Sequence, residues 1–331
     1  MLIIGNDTVR RALDGRDGEL IDAVGQAYRL HQRGETALPH SVFLRFPDDD
    51  RNRIIGLPAY LGGGRPLAGM KWIASFPGNV AAGIERASAV IILNDMATGR
   101  PVALLEASTI SARRTAGSAA LASTVLSGPE PVTGVTVVGC GLINAETLRL
   151  LRVLHPGLRR LTVFDLDADR AEAFAARSGL DAVVAPDLDH ALAANPLVSM
   201  ATTASAPHTD LSACAPGTLV LHLSLRDVTV DAILAAHNVV DDVDHVSRAA
   251  TSVHLTEQRV GGRGFIGAEL GALLLDGPDH PRPTDRVTVF SPFGLGVLDL
   301  AVAELVLRVA RESGEVTEIE GFLPAAPVAA G

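Results

Sequence analysis

The stretch that most narrows what this chain can fold into runs from Val135 to Asp165. Val135-Thr-Val-Val is an apolar strand, Gly139-Cys140-Gly141 a glycine-bearing turn, and a helix follows from Leu142. A second apolar strand, Leu161-Thr-Val-Phe, ends on Asp165. Strand, glycine turn, helix and strand in that order make a βαβ unit, which calls for a parallel sheet. Gly139 permits the tight turn, and Gly141 lets the backbone approach a pyrophosphate. Leu142 and Ile143 open the helix, where free N–H groups and the positive dipole end attract phosphate. Asn144 stands where the third glycine of such turns normally allows close helix–strand packing. The distance from Gly139 to Asp165 is slightly longer than the usual ~20 residues. A carboxylate there accepts hydrogen bonds from ribose hydroxyls and repels a 2′-phosphate, so the pattern reads as NAD rather than NADP. Arg170 softens that preference only if it points inward. The competing reading is a structural glycine turn with Asp165 as a helix cap.

At 331 residues the chain has room for two domains. With 47% hydrophobic and 20% charged residues it can bury a sizeable core. The net charge of −10, without a Lys/Arg run, argues against a nucleic-acid partner. An acidic protein that handles anions must concentrate positive charge locally, which singles out Arg45, Lys71 and Arg114. Two cysteines with no CxxC pair exclude a disulfide framework or a cysteine zinc site. The first residues do not read as a signal peptide. No apolar run reaches the ~18 residues of a membrane span, since the richest segment carries Asp299, Glu304 and Arg308. A cytoplasmic protein without a membrane partner is expected, with the Ala/Pro-rich tail after Leu323 the candidate for disorder.

Periodicity predicts a helix over 7–33, capped by Asp7 or Thr8. Short β-rich runs follow at 42–46, 54–61, 67–75, 87–93 and 102–106, separated by Gly62-Gly63-Gly64, Pro77-Gly78-Asn79 and Thr98-Gly99, as in an antiparallel sheet. Asp48-Asp49-Asp50 reads as a solvated turn. A small-residue helix at 109–126 leads to apolar strands at 135–138, 161–164, 182–185, 197–201, 219–223, 239–240 and 286–290, many separated by helices. A last helix, 295–312, is expected to pack back on the first domain. The fold class is therefore α/β, a Rossmann doubly wound sheet at 116–290 inserted in a discontinuous α+β domain made of 1–115 and 291–331.

Met70-Lys71-Trp72 with Phe76-Pro-Gly-Asn79, Ala112-Arg-Arg114-Thr115-Ala, Gly139-Cys-Gly-Leu-Ile-Asn144 and Phe290-Ser-Pro-Phe-Gly294-Leu-Gly-Val-Leu-Asp299 together resemble the ornithine cyclodeaminase/μ-crystallin family. Within it, Arg86-Ala-Ser-Ala-Val-Ile-Ile-Leu-Asn-Asp95, Ser224-Leu-Arg-Asp227 and Val239-Val-Asp-Asp-Val-Asp-His245 resemble the dehydrogenases of 2,3-diaminopropionate biosynthesis in siderophore and antibiotic pathways. The resemblance implies a homodimer joined through the substrate domains. It also implies NAD-dependent oxidation of N-(2-amino-2-carboxyethyl)-L-glutamate to 2,3-diaminopropionate and 2-oxoglutarate. The implied pathway neighbour is a pyridoxal-phosphate enzyme that makes the secondary amine. Arg45 aligns with the family's carboxylate-binding arginine, and Gly56 with the catalytic glutamate of the cyclodeaminases, which argues against ornithine cyclisation. A cyclic imine reductase, an amino-acid dehydrogenase and a non-catalytic dinucleotide-dependent binding protein are the alternatives.

The expected site follows from these motifs. Lys71, in an apolar strand, needs a charged partner, and the resemblance makes it a substrate carboxylate; an outward-pointing lysine is the competing reading. The forked guanidinium of Arg114 suits a second carboxylate, with Arg113 facing elsewhere, and Arg45 is the third cation, for a small anionic amino-acid substrate. Asp227, just past a parallel strand, is the family's catalytic aspartate, set to hold the amine and relay protons or merely to cap a helix. Thr115, Thr202, Thr203, Ser224, Ser291 and Gly294 are the further cofactor contacts. Asp241, Asp242, Asp244 and His245 do not define a metal-ligand set, and no metal is expected.

Overall fold

In the computed structural model, which describes residues 1–277 and 283–324, the chain divides into two units. The first comprises Met1–Ala23, Arg33–Ser111 and the segment from Gly296; the second comprises Val24–Gln32 and Ala112–Leu295. The divisions fall after Ser111 and Leu295 rather than after 115 and 290. The cause is local: Arg113 pairs with Glu146, and the N–H groups of Phe293 and Gly294 bond to Asp241, all within the second unit.

The first unit is built on strands Val42–Phe46, Asp49–Leu61, Leu67–Ser75, Ala87–Asn94 and Pro101–Glu106, paired antiparallel in chain order. Their alternation sorts side chains to two faces. Leu57, Ala59, Leu61, Ile91, Leu93, Ala103 and Leu105 are buried. Helix Gly296–Glu312 covers this face: Leu300 packs beside Gly69, and Gly296 sits against Leu57 and Ala59. The other face leaves Val42, Leu44 and Trp72 exposed. Strands Leu2–Ile4 and Thr317–Glu318 extend the sheet beyond Pro101–Glu106, and Thr36–Ala37 pairs at the opposite edge. These three short strands carry too few residues for a visible period. Pro47 and Asp48 form the expected turn, but Asp49 already begins a strand, its carboxylate accepting the N–H groups of Arg51 and Asn52.

The expected helix over 7–33 is two helices, Asn6–Leu13 and Asp17–Gln32. Gly15 breaks it by adopting φ +75°, a left-handed conformation natural to glycine. The N-cap is Gly5, with no side-chain cap bond, so neither Asp7 nor Thr8 caps; Asp7 lies in the first turn, where its charge suits the dipole.

The second unit carries an all-parallel sheet in the order Asp181–Val184, Arg160–Phe164, Gly134–Val138, Leu197–Met200, Leu219–His222, Thr288–Ser291, His237–Val240, Ile266–Glu269. Sequence order reverses on either side of Gly134–Val138, which is the switch point where such sheets bind ligands beyond their strand ends. Ile266–Glu269 is absent from the sequence expectation, being four residues long and interrupted by Gly267. No helix among the described residues is long and apolar enough to cross a membrane. The tail from 325 lies outside the described residues.

Asn144, in the helix Leu142–Leu154 that follows the glycine turn, is fully buried. Its Nδ2 donates to the carbonyls of Val138 (2.9 Å) and Gly139 (2.7 Å), and its Oδ1 accepts from Ser199 Oγ at 2.7 Å. The departure from a third glycine is thus a cross-link from the helix to two adjacent strands.

Two stability differences follow, both read by denaturant unfolding. Asn144→Gly, although it restores the commoner residue, is expected to lower stability by about 1–3 kcal/mol, because Ser199 and two carbonyls lose buried partners. A Cβ on Gly69 would stand 2.3 Å from the Ile92 carbonyl oxygen, whereas one on Gly56 would meet the Trp72 ring at an ordinary 3.5 Å. Gly69→Ala is expected to cost about 1–3 kcal/mol or more through overpacking, and Gly56→Ala much less.

Candidate active site

The glycine turn of the second unit has the shape a dinucleotide requires. Gly139 adopts φ +87°, and a Cβ there would lie 2.5 Å from the Ala201 carbonyl oxygen. Gly141 has nothing within 4 Å of where its Cβ would be, so backbone is open to an approaching group. Gly141 is also the N-cap of helix Leu142–Leu154 and provides no side-chain cap bond. Leu142 is exposed and Ile143 half-buried there, and the first N–H groups of the helix are suited to phosphate. Asp165 accepts the Cys140 N–H at 2.8 Å through Oδ2 and the Asp167 N–H at 3.0 Å through Oδ1. It therefore sits beside the glycine turn rather than capping the helix that follows, which Asp167 caps. Arg170 points back, with Nη1 3.6 Å from Asp165 Oδ1 and Nη2 3.3 Å from Asp167. These residues fit a bound NAD: an open cradle for the pyrophosphate and an acid for the ribose.

Beyond strands Leu197–Met200 and Leu219–His222 of the same sheet lies Asp227, fully buried. Ser224-Leu225-Arg226 swings it back toward the strand ends, with Leu225 held at φ +68°, a conformation rarely adopted by a branched residue. Thr202 Oγ1 donates to Oδ1 and Ser224 Oγ to Oδ2. His208 Nε2 lies 3.1 Å from Oδ1 and His222 Nε2 3.2 Å from Oδ2. Burial alone would raise the Asp227 carboxyl, but the bond and charge of His222 and the Ser224 and Thr202 hydroxyls outweigh it and hold the group well below the usual carboxylate range. Ser291, expected at the cofactor, is buried with its Oγ 3.1 Å from His222 Nδ1. Thr203 is exposed and is not among the residues around Asp227. His208 and His222 escaped the sequence reading. His222 ends a parallel strand, a position that marks ligand sites in such sheets.

Arg114, buried on helix Ser108–Leu126, lies against Gly294: a Cβ there would come within 2.7 Å of Nη1. Gly294, at φ +94°, thus leaves space for the guanidinium. Asp241 fixes this turn by accepting the N–H groups of Phe293 (2.8 Å) and Gly294 (2.7 Å). Burial pushes the Asp241 carboxyl up to about 6. Asp242 instead accepts from His245 and lies 2.9 Å from His31 Nε2, and Asp244 pairs with Arg263. Arg113 turns toward Glu146, as its neighbour's placement requires. Thr115 is half-buried on the same helix.

In the first unit Lys71 is buried, on the helix-covered face of its strand. Lys71 has a charged partner within its own unit, in addition to the substrate carboxylate expected for it. Its Nζ forms an ion pair with Asp299 Oδ2 at 2.7 Å and donates to Ser111 Oγ at 3.1 Å. Asp299 is fully buried in the last helix, and the sequence motif ending on it was the available signal. Arg45 shares the Lys71 face by alternation, is exposed, and stacks its guanidinium over Phe43 at 5.7 Å. Gly56 pairs with Trp72 and so belongs to the opposite face. Along the stretch paired with Leu67–Ser75, the positions that share the Lys71 face are Arg53, Ile55, Leu57, Ala59 and Leu61. None of these is a carboxylate.

A model of the ornithine cyclodeaminase/mu-crystallin family matches residues 11–314. The chain is 26% identical to the N-((2S)-2-amino-2-carboxyethyl)-L-glutamate dehydrogenase of Staphylococcus aureus, over 94% of this chain and 96% of that one. The solved structure of CmnK is 30% identical, with a TM-score of 0.89 over 97% of this chain and 99% of CmnK. The Thermococcus litoralis Delta(1)-pyrroline-2-carboxylate reductase, solved with NADH and L-proline, shares the fold at 22% identity and a TM-score of 0.90, over 96% of this chain and 100% of the reductase. The chain belongs to the ornithine cyclodeaminase/mu-crystallin family.

Proposed function

We propose that this protein is an NAD-dependent dehydrogenase that oxidises N-(2-amino-2-carboxyethyl)-L-glutamate to 2,3-diaminopropionate and 2-oxoglutarate. The observation that carries this reading is the makeup of strand Asp49–Leu61. Where it pairs with Leu67–Ser75, its Lys71-facing positions hold Arg53, Ile55, Leu57, Ala59 and Leu61, with no acid of the kind a cyclodeaminase uses. The whole-length similarity to the staphylococcal dehydrogenase supports the substrate class, and the open cradle at Gly141 with Asp165 supports the cofactor.

NAD, when bound, supplies the hydride acceptor. The chain supplies charge and position. Lys71, held by Asp299 and Ser111, Arg114, given space by Gly294, and Arg45 are the cations this reading assigns to substrate carboxylates. Loss of hydride from the glutamate Cα turns the secondary amine into a cationic imine. Asp227 faces that positive charge. A carboxylate held far below its usual range is a weak base, so Asp227 acts by charge rather than by taking the proton. His208, partly exposed and 3.1 Å from Oδ1, is placed to pass protons to solvent. Water then adds to the imine carbon, and the C–N bond breaks to release 2-oxoglutarate and 2,3-diaminopropionate. The reading places the enzyme in the cytoplasm as a homodimer. The exposed Val42, Leu44 and Trp72 on the uncovered sheet face support the dimer.

Purified protein with NAD and this amine should generate reduced nicotinamide, with 2-oxoglutarate formed in equal amount. Turnover of cyclic imines or alanine in its place would overturn the substrate assignment, and dinucleotide binding with no turnover on such a panel would favour a binding protein. Asp227→Asn, which keeps shape and removes charge, should lower kcat by roughly 10²- to 10³-fold. Gly56→Glu should produce no proline from ornithine, because the new carboxylate would emerge on the Trp72 face.

A further inference from the structure

The sheet face that carries Lys71 holds more positive charge than one substrate carboxylate needs. Arg45 lies directly across from Arg53, Arg53 across from Ser75, and Ser75 across from Ala87, which Arg86 precedes. Alternation puts Arg45, Arg53 and Ser75 on the face of Lys71. Arg86 joins the row by donating from Nη1 to Ser75 Oγ at 2.9 Å.

We propose that Arg86, with Arg53 and Arg45 beside it, is a second anion station of the substrate site, and that it selects amino acids bearing a carboxylate at the end distant from Lys71. The inference rests on the substrate class proposed above and names residues that determine it. Arg86 is the centre because of its surroundings. It is half-buried, and its hydrogen-bond partner is a neutral hydroxyl. Among the described residues no carboxylate oxygen stands within ion-pair distance of it. Burial lowers its pKa, with the charge of Glu85 pulling the other way. A guanidinium that has lost water without gaining an ion-pair partner favours an incoming anion, and its fork matches a carboxylate. The spacing suits an elongated ligand. Lys71 and Ser75, which Arg86 contacts, are four residues apart, about 13 Å along the strand, a separation on the scale of an extended amino acid with acids at both ends. Phe46 and Phe76, with ring centroids 5.8 Å apart, adjoin the row.

The test compares N-(2-amino-2-carboxyethyl)-L-glutamate with its glutamine counterpart, which has the same shape and one carboxylate fewer. Wild-type protein should prefer the glutamate compound in kcat/KM. Arg86→Met should erase roughly 10- to 100-fold of that preference, the scale of one charge-assisted hydrogen bond, mainly through KM, and Arg86→Lys should retain part of it. Equal losses on both compounds, or an unchanged preference in a variant with the wild-type unfolding midpoint, would overturn the station. If neither compound turns over, the functional reading fails, but the station is still decided by calorimetry with glutarate and its monoamide. Tighter binding of glutarate that Arg86→Met abolishes supports it; equal binding of the two probes to wild-type protein refutes it.

Discussion

The second unit depends on one close approach, between Gly139 and the backbone at Ala201. Gly139 donates its N–H to Phe164, and Ala201 donates to Val138, so the turn is tied to the strands on both sides. The contact leaves no room for a Cβ, and the chain can pass only in a left-handed conformation. Asn144 then closes the arrangement by bonding to Val138, Gly139 and Ser199. A rigid turn at the switch point does two things. It opens the helix N-terminus at Gly141, and it fixes where Thr202 emerges from the neighbouring strand. Thr202 in turn holds Asp227. The nucleotide cradle and the acid are therefore set by the same few backbone contacts.

The first unit follows a different constraint, the two-residue period of its antiparallel strands. Where the last helix packs on it, around Leu57, Ala59 and Gly69, the Lys71 face is apolar apart from one compensated charge. Lys71 and Asp299 supply that compensation to each other at 2.7 Å. Breaking such a pair would leave a buried charge alone, which is why the partner comes from the covering helix rather than from solvent. The same period decides the meaning of a missing residue. A side chain one position along the strand faces away from Lys71, so an acid on Asp49–Leu61 serves the Lys71 face at 55 or 57 and not at 56.

Much of this was legible from residues alone. The five antiparallel strands and the βαβ unit follow from apolar periodicity, and Gly139, Gly141 and Asp165 from their order along it. What the sequence concealed were relations across the chain. Alternation could place Lys71 in a strand but not choose its face, and the partner Asp299 lies in a helix far along the sequence. The residues around Asp227 come from three separate segments, and single histidines such as His208 and His222 have no spacing that would reveal them. The break at Gly15 was hidden because apolar residues on both sides keep a nearly helical rhythm. The short strands Thr36–Ala37 and Ile266–Glu269 owe their existence to an available sheet edge rather than to their own propensity.

The setting of Asp227 bears on how one scaffold serves different chemistry. Four groups converge on a carboxylate that is out of contact with water, and each favours its charged form. Such a group yields its negative charge to a neighbouring cation far more readily than it accepts a proton. A reaction that builds positive charge at an imine nitrogen gains from it whether the imine then meets water or an internal amine. On the strand that pairs with Leu67–Ser75, the positions beside Lys71 on its face are Ile55 and Leu57, so that face presents apolar side chains where a carboxylate would add a charge.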